Sequence, residues 1–385
     1  MKKKLWLVLA LCLIAFFGWR FFRPMNIFVV EDRFALPMKV EMPEGIESLS
    51  ASYCGSCHQA IYEEWSKSMH AKAWTDPYYQ VDFAFDGSQQ ICLNCHIPLE
   101  NQQENLVLGF RDSERFDPIL KPNPDFDRAL QQEGVTCAVC HVRDGRIIGP
   151  IERPDAPHAV RAVPEMAEGI YSCRQCHQVT NDRWDVFFKI PPCGTVMEIR
   201  QGGQKADCVS CHLPKTERPL VEGFPSRQVG RHLFRGGHHP PSVKESLKVE
   251  LSREQTRGGQ AITASLTNIK AAHALPTGTP DRHLTLSMRL VDRQGNPGRQ
   301  ESWKLKRRFM WRPFIIELED TRLLYNQTRS FRFEVSDAER ARYDRLEVLV
   351  TYHLLDEGRR KRIGYENKEP IFYPVYQEQL PLNQP

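Results

Sequence analysis

A chain of 385 residues is long for one domain and comfortable for two, and 41% apolar with 26% charged residues is the make-up of an ordinary folded protein. A formal net charge of only +4 excludes a nucleic-acid binder that relies on a dominant basic face.

The amino end reads Met1-Lys2-Lys3-Lys4, then an apolar run from Leu5 to Trp19, then Arg20, Phe21, Phe22 and Arg23. Positive charge ahead of such a run keeps that end in the cytoplasm and sends the rest outward. Two fates are open, a cleaved signal peptide or an anchor. The residues after the apolar core offer no small-x-small cleavage site, and Cys12 follows Leu11 rather than a small residue, against a lipoprotein site. The run is slightly short of the ~20 residues that span a bilayer, but Arg20 can snorkel and add Phe21 and Phe22. The expectation is an uncleaved anchor within residues 1–23, spanning 5–22, in the cytoplasmic membrane, and then a linker over 24–46. Either fate exports the chain, to the periplasm.

Five copies of Cys-x-x-Cys-His follow: Cys54/Cys57/His58, Cys92/Cys95/His96, Cys137/Cys140/His141, Cys173/Cys176/His177 and Cys208/Cys211/His212. The spacing is that of covalent c-type haem attachment, in which two thiols form thioethers with the porphyrin edge and the next residue brings its imidazole to the iron. Zinc ribbons and thioredoxin-like pairs also use Cys-x-x-Cys. Zinc, however, gains nothing from a histidine fixed after the second cysteine, and a thioredoxin motif occurs once beside a strand and helix. Ten of the twelve cysteines are used in the motifs, so five covalent haems (heme c) are expected, and with them electron transfer. Two propionates per haem would bring the holoprotein near neutrality when oxidised and make it acidic when reduced.

The first cysteines of the motifs are 38, 45, 36 and 35 residues apart, too irregular for a solenoid. Porphyrins would be the core of this domain, expected over 47–242, wrapped by short helices and loops. After Gly236-Gly237-His238-His239-Pro240-Pro241 the pattern changes to period-2 alternation: Leu247/Val249/Leu251, Ile262/Ala264/Leu266, Leu284/Leu286/Met288/Leu290, Phe331/Phe333/Val335 and Leu346/Val348/Val350/Tyr352. Turn signals at Gly258-Gly259 and Gly295-Asn296-Pro297-Gly298 separate the runs. The fold class is thus multidomain, a helical and loop-rich multihaem domain followed over 243–385 by an antiparallel β-sandwich of immunoglobulin-like size.

Eight histidines lie outside the motifs: His70, His158, His232, His238, His239, His273, His283 and His353. They suffice for every iron to be bis-histidine, a six-coordinate state suited to electron transfer. Gln59 to Trp74 reads as a helix with Ile61, Trp65 and Met69 on one face. His70 lies twelve residues beyond His58, about 18 Å along a continuous helix, so it would ligate a different haem. His158, His232, His238 and His273 are the other candidate distal ligands, with His239 as an alternative to His238. Gly236 and Gly237 would let the backbone approach a porphyrin. His283 and His353 fall on the polar phase of strands and read as bland. Cys193 is left over and reads as a small residue against a porphyrin, while Arg143, Arg174 and Arg200 are available to propionates.

Cys54-x-x-Cys57-His58 followed by Trp65 and Ser68-Met69-His70-Ala71-Lys72-Ala73 resembles the opening haem segment of the cytochrome c-554 family, tetrahaem electron acceptors related to hydroxylamine oxidoreductase and pentahaem nitrite reductase. The resemblance covers about twenty residues. It implies that His70 is a distal ligand to another haem and that haems stack in close pairs; this chain departs from it in haem number and in its β-domain.

The leading expectation is a periplasmic electron-transfer cytochrome, its haems a wire to or from a redox partner protein. The alternative is an enzyme, a reductase or dehydrogenase of a small nitrogen or sulfur compound, which needs one haem with an open distal position. Pentahaem nitrite reductases typically carry their active haem on Cys-x-x-Cys-Lys, whereas all five motifs here end in histidine.

Overall fold

The computed structural model describes residues 2–22, 32–113, 115–154, 156–167, 170–178, 193–310 and 316–383. The chain divides into two compact units. The first comprises Met1–Pro191, Asp207–Phe234 and Phe309–Leu318, the second Pro192–Ala206, Arg235–Arg308 and Glu319–Pro385. The segment 192–206, between the fourth and fifth motifs, belongs with the second unit.

In the first unit Lys2–Phe22 is one helix of 21 residues, with Leu5, Trp6, Ile14 and Phe22 exposed. Among the described residues no helix is long and apolar enough to cross a membrane. The unbroken apolar run, Leu5 to Trp19, reaches about 22 Å at 1.5 Å per residue, against ~30 Å of hydrocarbon. The other helices of this unit run from four residues (Asp32–Ala35) to nine (Pro77–Phe85). Two-stranded antiparallel ribbons pair Asn105–Phe110 with Pro118–Pro122 and Lys215–Pro219 with Ser226–Gly230. Apolar burial is scattered: Leu49, Leu99, Leu130, Ala138, Val139 and Val142 form one small cluster, Phe34 and Ala35 another.

Four motifs share one local design. Helices Gln90–His96, Cys137–His141, Ile170–His177 and Cys208–His212 each end on the motif histidine. One helical turn sets the two thiols on the same face, and stopping there frees the imidazole from the helix. In the first motif the break comes earlier: Cys54 lies on Ala51–Gly55, and His58 precedes the helix Gln59–Ser66.

That helix stops at Ser66, eight residues short of the expected Trp74. Ser66 Oγ donates to the Glu63 carbonyl at 3.0 Å and Ser68 Oγ accepts from Ala71 N–H at 3.4 Å, so local serine bonds replace the helical ladder. Trp65 is held from outside by its indole N–H, 2.9 Å from the Val135 carbonyl. The chain then turns, and His70 is delivered by a turn rather than by a helix face.

Among the described residues, seven strands that lie wholly within the second unit form two antiparallel sheets. They are β1 (Leu247–Thr256), β2 (Gly259–Asn268), β3 (His283–Val291), β4 (Pro297–Leu305), β5 (Thr328–Ser336), β6 (Arg345–His353) and β7 (Phe372–Pro381). One sheet has the order β5-β2-β1, the other β4-β3-β6-β7. The alternating runs supply the inward residues of both sheets to one cluster of twenty buried side chains, including Ile262, Leu266, Leu286, Met288, Phe333, Val348 and Val350. Strands β4 and β7 lie at sheet edges, where β4 is largely polar and β7 carries Pro374 beside an irregularity in its register with β6.

The helix Thr195–Gln201 is fastened to this unit by a buried ion pair. Glu198, 1% exposed, accepts from Arg322 Nη1 at 2.6 Å and from Thr277 Oγ1 at 2.5 Å. Arg322 also donates to Asp320, at 2.8 Å, and to the Pro276 carbonyl, at 3.2 Å.

Candidate haem sites

Three motif histidines face a second imidazole at one and the same distance. Ring centres are 6.2 Å apart for His58 and His158, for His70 and His177, and for His141 and His232, with the planes inclined by 59°, 60° and 37°. Two imidazoles in direct contact stack at about 4 Å. A metal between them, with a bond of about 2 Å on each side and ~1 Å more from ring nitrogen to ring centre, opens the spacing to about 6 Å. The three gaps therefore fit an iron each, and the residues present suit haem.

The backbone aims the motif imidazoles. His58 Nδ1 lies 3.4 Å from the Leu220 carbonyl, His96 Nδ1 2.7 Å from that of Ala73, and His141 Nδ1 3.0 Å from that of Ile148. Opposite His141, His232 Nδ1 is 3.0 Å from the Gly230 carbonyl. Such contacts leave Nε2 as the metal-binding nitrogen and fix the ring plane. Burial, reinforced by the facing His177, pushes His70 down to about 3, and burial followed by the facing His141 pushes His232 down to about 4. Burial also holds His58, His96 and His141 below the usual imidazole value. Neutral imidazole is the form that binds a metal.

His96 meets a different neighbour from those three. The ring against it is Tyr79, stacked at 3.7 Å with the planes 7° apart, rather than another imidazole. The Tyr79 hydroxyl is buried without a hydrogen-bond partner, and burial raises its pKa well above the usual phenol value. Trp74 and Phe83 pack around the same tyrosine.

In the second motif the half-buried Cys95 side chain packs with Ile91 against the cluster of Phe34 and Ala35. The reason is helical spacing: Ile91 and Cys95 are four residues apart on Gln90–His96 and share a face. A thiol behaves there as a small apolar residue. Asn94, on the same helix, donates to the Phe34 carbonyl at 2.6 Å and holds that face against the cluster. Cys92, in contrast, is pushed up to about 12 by burial.

The motif thiols show which sites adjoin. Cys54 and Cys137 lie close enough to perturb each other's thiols, as do Cys173 and Cys208, and Cys140 lies close enough to Cys176 to feel its charge. The first motif is thus next to the third, the third to the fourth, and the fourth to the fifth. Cys57 and Cys211, in the first and fifth motifs, are the exposed motif cysteines.

The remaining candidates sit in the second unit. His239 caps the helix Pro240–Ser246 with its Nδ1, 2.9 Å from Ser242 Oγ, which leaves Nε2 as its metal-binding nitrogen and keeps it an alternative to His238. A Cβ on Gly237 would come within 2.6 Å of the Tyr352 hydroxyl, and the Tyr373 hydroxyl donates to the Gly237 carbonyl. In this unit the glycine accommodates a tyrosine pair. His273 is on a loop tied by Asn268, whose Nδ2 donates to the Ala271, His273 and Leu323 carbonyls at 2.9, 2.9 and 3.1 Å. His283 and His353 are cross-strand partners stacked on each other at 4.1 Å, and His283 is 2% exposed rather than on a solvated face. Cys193 is half-buried in the second unit, and Arg143 donates to the Val142 carbonyl and to Gln175.

Sequence reading missed the parts that hold His70 and His232. The His70 carbonyl accepts from Val135 N–H at 2.9 Å, two residues before the third motif. Gly134, at φ +62°, permits that approach, since a Cβ there would sit 2.7 Å from the same carbonyl. Glu64, 8% exposed, accepts from Arg218 Nη1 and Nη2 at 2.9 and 2.7 Å, from Arg231 Nε at 2.9 Å and from the His232 backbone N–H at 2.9 Å. Burial opposes its charge, but the two arginines and the amide outweigh it and hold the carboxyl below the usual range.

Residues 53–115, which include the first two motifs and His70, match the family model for cytochrome c554 and c-prime. The fold is similar to that of a penta-heme cytochrome c552 from Thermochromatium tepidum, with a TM-score of 0.65 and 22% identity over 86% of this chain and 98% of that one. A protein assigned as a beta-galactosidase from Bacteroides fragilis matches 42% of this chain and 20% of its own at 13% identity and a TM-score of 0.16, which carries no argument. No curated protein matches the sequence. The family match and the fold together support a multihaem cytochrome c with haem c as its cofactor.

Proposed function

We propose that the chain is a periplasmic electron-transfer cytochrome holding five haems c, one on each Cys-x-x-Cys-His motif. The observation that carries the reading is the repeated 6.2 Å spacing of three imidazole pairs. Haem c, when bound, supplies an iron that takes up and gives back one electron. His58 with His158, His177 with His70, and His141 with His232 would close both faces of three irons, which keeps them six-coordinate and limits rearrangement on electron transfer. The thiol contacts support an order of first, third, fourth and fifth sites, with exposed cysteines at the two ends of the series. At the second site, Cys95 would have to turn from the Phe34 cluster to form its thioether. His238 and His273 are proposed as further distal ligands. A redox partner protein would dock near an exposed end, and the two-sheet unit, read as an immunoglobulin-like β-sandwich, would be a docking or spacer module. The N-terminal helix is proposed as the export signal, and as a membrane anchor if snorkelling of Arg20 extends its apolar span.

A second reading, a reductase or dehydrogenase of a small nitrogen or sulfur compound, is favoured at one place. The site of His96 has Tyr79 against its imidazole instead of a second histidine, and a buried hydroxyl with no partner.

The test is electron paramagnetic resonance of the oxidised holoprotein, with carbon monoxide added to a reduced portion and the haem count taken from intact mass. Five haem masses with only low-spin signals and no carbon monoxide shift are expected. A high-spin signal that binds carbon monoxide would move the enzyme reading to first place, and fewer than five haems would overturn the count.

A further inference from the structure

The imidazole pairs of the third and fourth motifs share a neighbour. The Phe234 ring lies 4.3 Å from the His70 ring, tilted by 65°, and 5.7 Å from the His232 ring, edge-on at 84°. One phenyl ring thus touches the imidazole that faces His177 and the imidazole that faces His141. Its backbone has φ +46°, a left-handed conformation that side-chain-bearing residues rarely adopt and that persists only where surroundings over-determine it. Glu64 grips the same segment two residues upstream through the His232 amide and the Arg231 guanidinium, both at 2.9 Å, and Arg218 braces the carboxylate.

We propose that Phe234 is a positioning residue shared by two haem sites, which fixes the ring planes of His70 and His232 together and so couples the ligand geometry of the third and fourth irons. Glu64 is the fixed point from which the segment is hung. The inference rests on the reading that these imidazole pairs hold irons. A flat ring wedged edge-on against two imidazoles limits rotation about both metal–nitrogen axes. The relative orientation of axial imidazole planes sets the splitting of the iron d orbitals and with it the low-spin g-values.

The test uses the holoprotein carrying Phe234→Gly, which suits the left-handed backbone and removes the ring, with Phe234→Tyr as the conservative partner. Two low-spin signals should change together in Phe234→Gly, with haem content and the other signals unchanged, and Phe234→Tyr should restore both. No change, or a change in a single signal, would overturn the shared role. If Phe234→Gly assembles with fewer haems, Phe234→Leu carries the same comparison, since an aliphatic side chain fills space without a ring plane. His70→Ala separates the two claims: if every haem stays low-spin and closed to carbon monoxide, the pairing itself fails, whatever Phe234 does.

Discussion

In the strand unit twenty buried side chains join in one cluster, whereas the motif unit gathers six in one place and two in another. The strand unit closes two sheets on a core supplied by its own alternating residues. The motif unit has short helices that stop at a histidine, and ordering its backbone costs ~1–2 kcal/mol per residue, far more than clusters of that size return. Among the described residues, one unit therefore has a single large apolar core and the other several small ones.

The largest effect that could break this comparison comes from a chain whose ten motif cysteines are replaced by alanine. Hydrogen exchange should show amides of helices 59–66 and 137–141 losing their protection, while those of β2, β3 and β6 keep theirs. Equal protection in both units would mean that the motif unit has a core of its own. Next in size, Arg322→Met leaves the Glu198 carboxylate, 2% exposed, buried without its partner. Breaking a buried pair this way costs about 3–5 kcal/mol, which denaturant unfolding followed through the strand signal should record. A smaller loss, about 1–3 kcal/mol, is expected for Gly134→Ala, which puts a Cβ into left-handed backbone and against the His70 carbonyl. It sharpens the contrast, because its signature should include an altered low-spin signal as well as lower stability. Smallest is a pH effect confined to the strand unit. Burial raises the Asp320 pKa, but Arg322 outweighs it and the net shift is downward. The stabilisation is therefore present above the unfolded value of about 3.9 and lost as pH falls through the lower folded value. Asp320→Asn should flatten that part of the acid unfolding curve, and an unchanged curve would remove Asp320 from the account.

What could be read in the sequence was whatever is local. The motifs declare their chemistry in five residues, and the runs from Leu247 to Tyr352 declare strands because one face of each is buried. Strands β4 and β7 escaped because an edge strand need not alternate, and Pro374 interrupts the pattern of β7. The helix from Gln59 was read too long because the pattern of Ile61, Trp65 and Met69 continues past the serines that end it. Motif spacing could not show that Cys95 shares its helix face with Ile91 and meets Phe34, some sixty residues upstream. Which histidine faces which motif is a long-range fact, with His70 meeting His177 and His158 returning to His58. Twelve residues of separation bore on His70 only for a continuous helix, and the helix ends at Ser66. Glu64 and Phe234 gave no signal, since a glutamate on a short helix and a phenylalanine after a histidine are ordinary until the fold surrounds them.

The apposed thiols also bear on how such a protein is made. Cys54 meets Cys137 and Cys173 meets Cys208, each pair drawn from two different motifs. In an oxidising compartment, two thiols held close together are candidates for a disulfide. A crosslink there would withhold one attachment point from each of two haems. The hazard exists only once folding has brought the motifs together, so the order of events matters: each motif is safest if it receives its haem while the chain is still open.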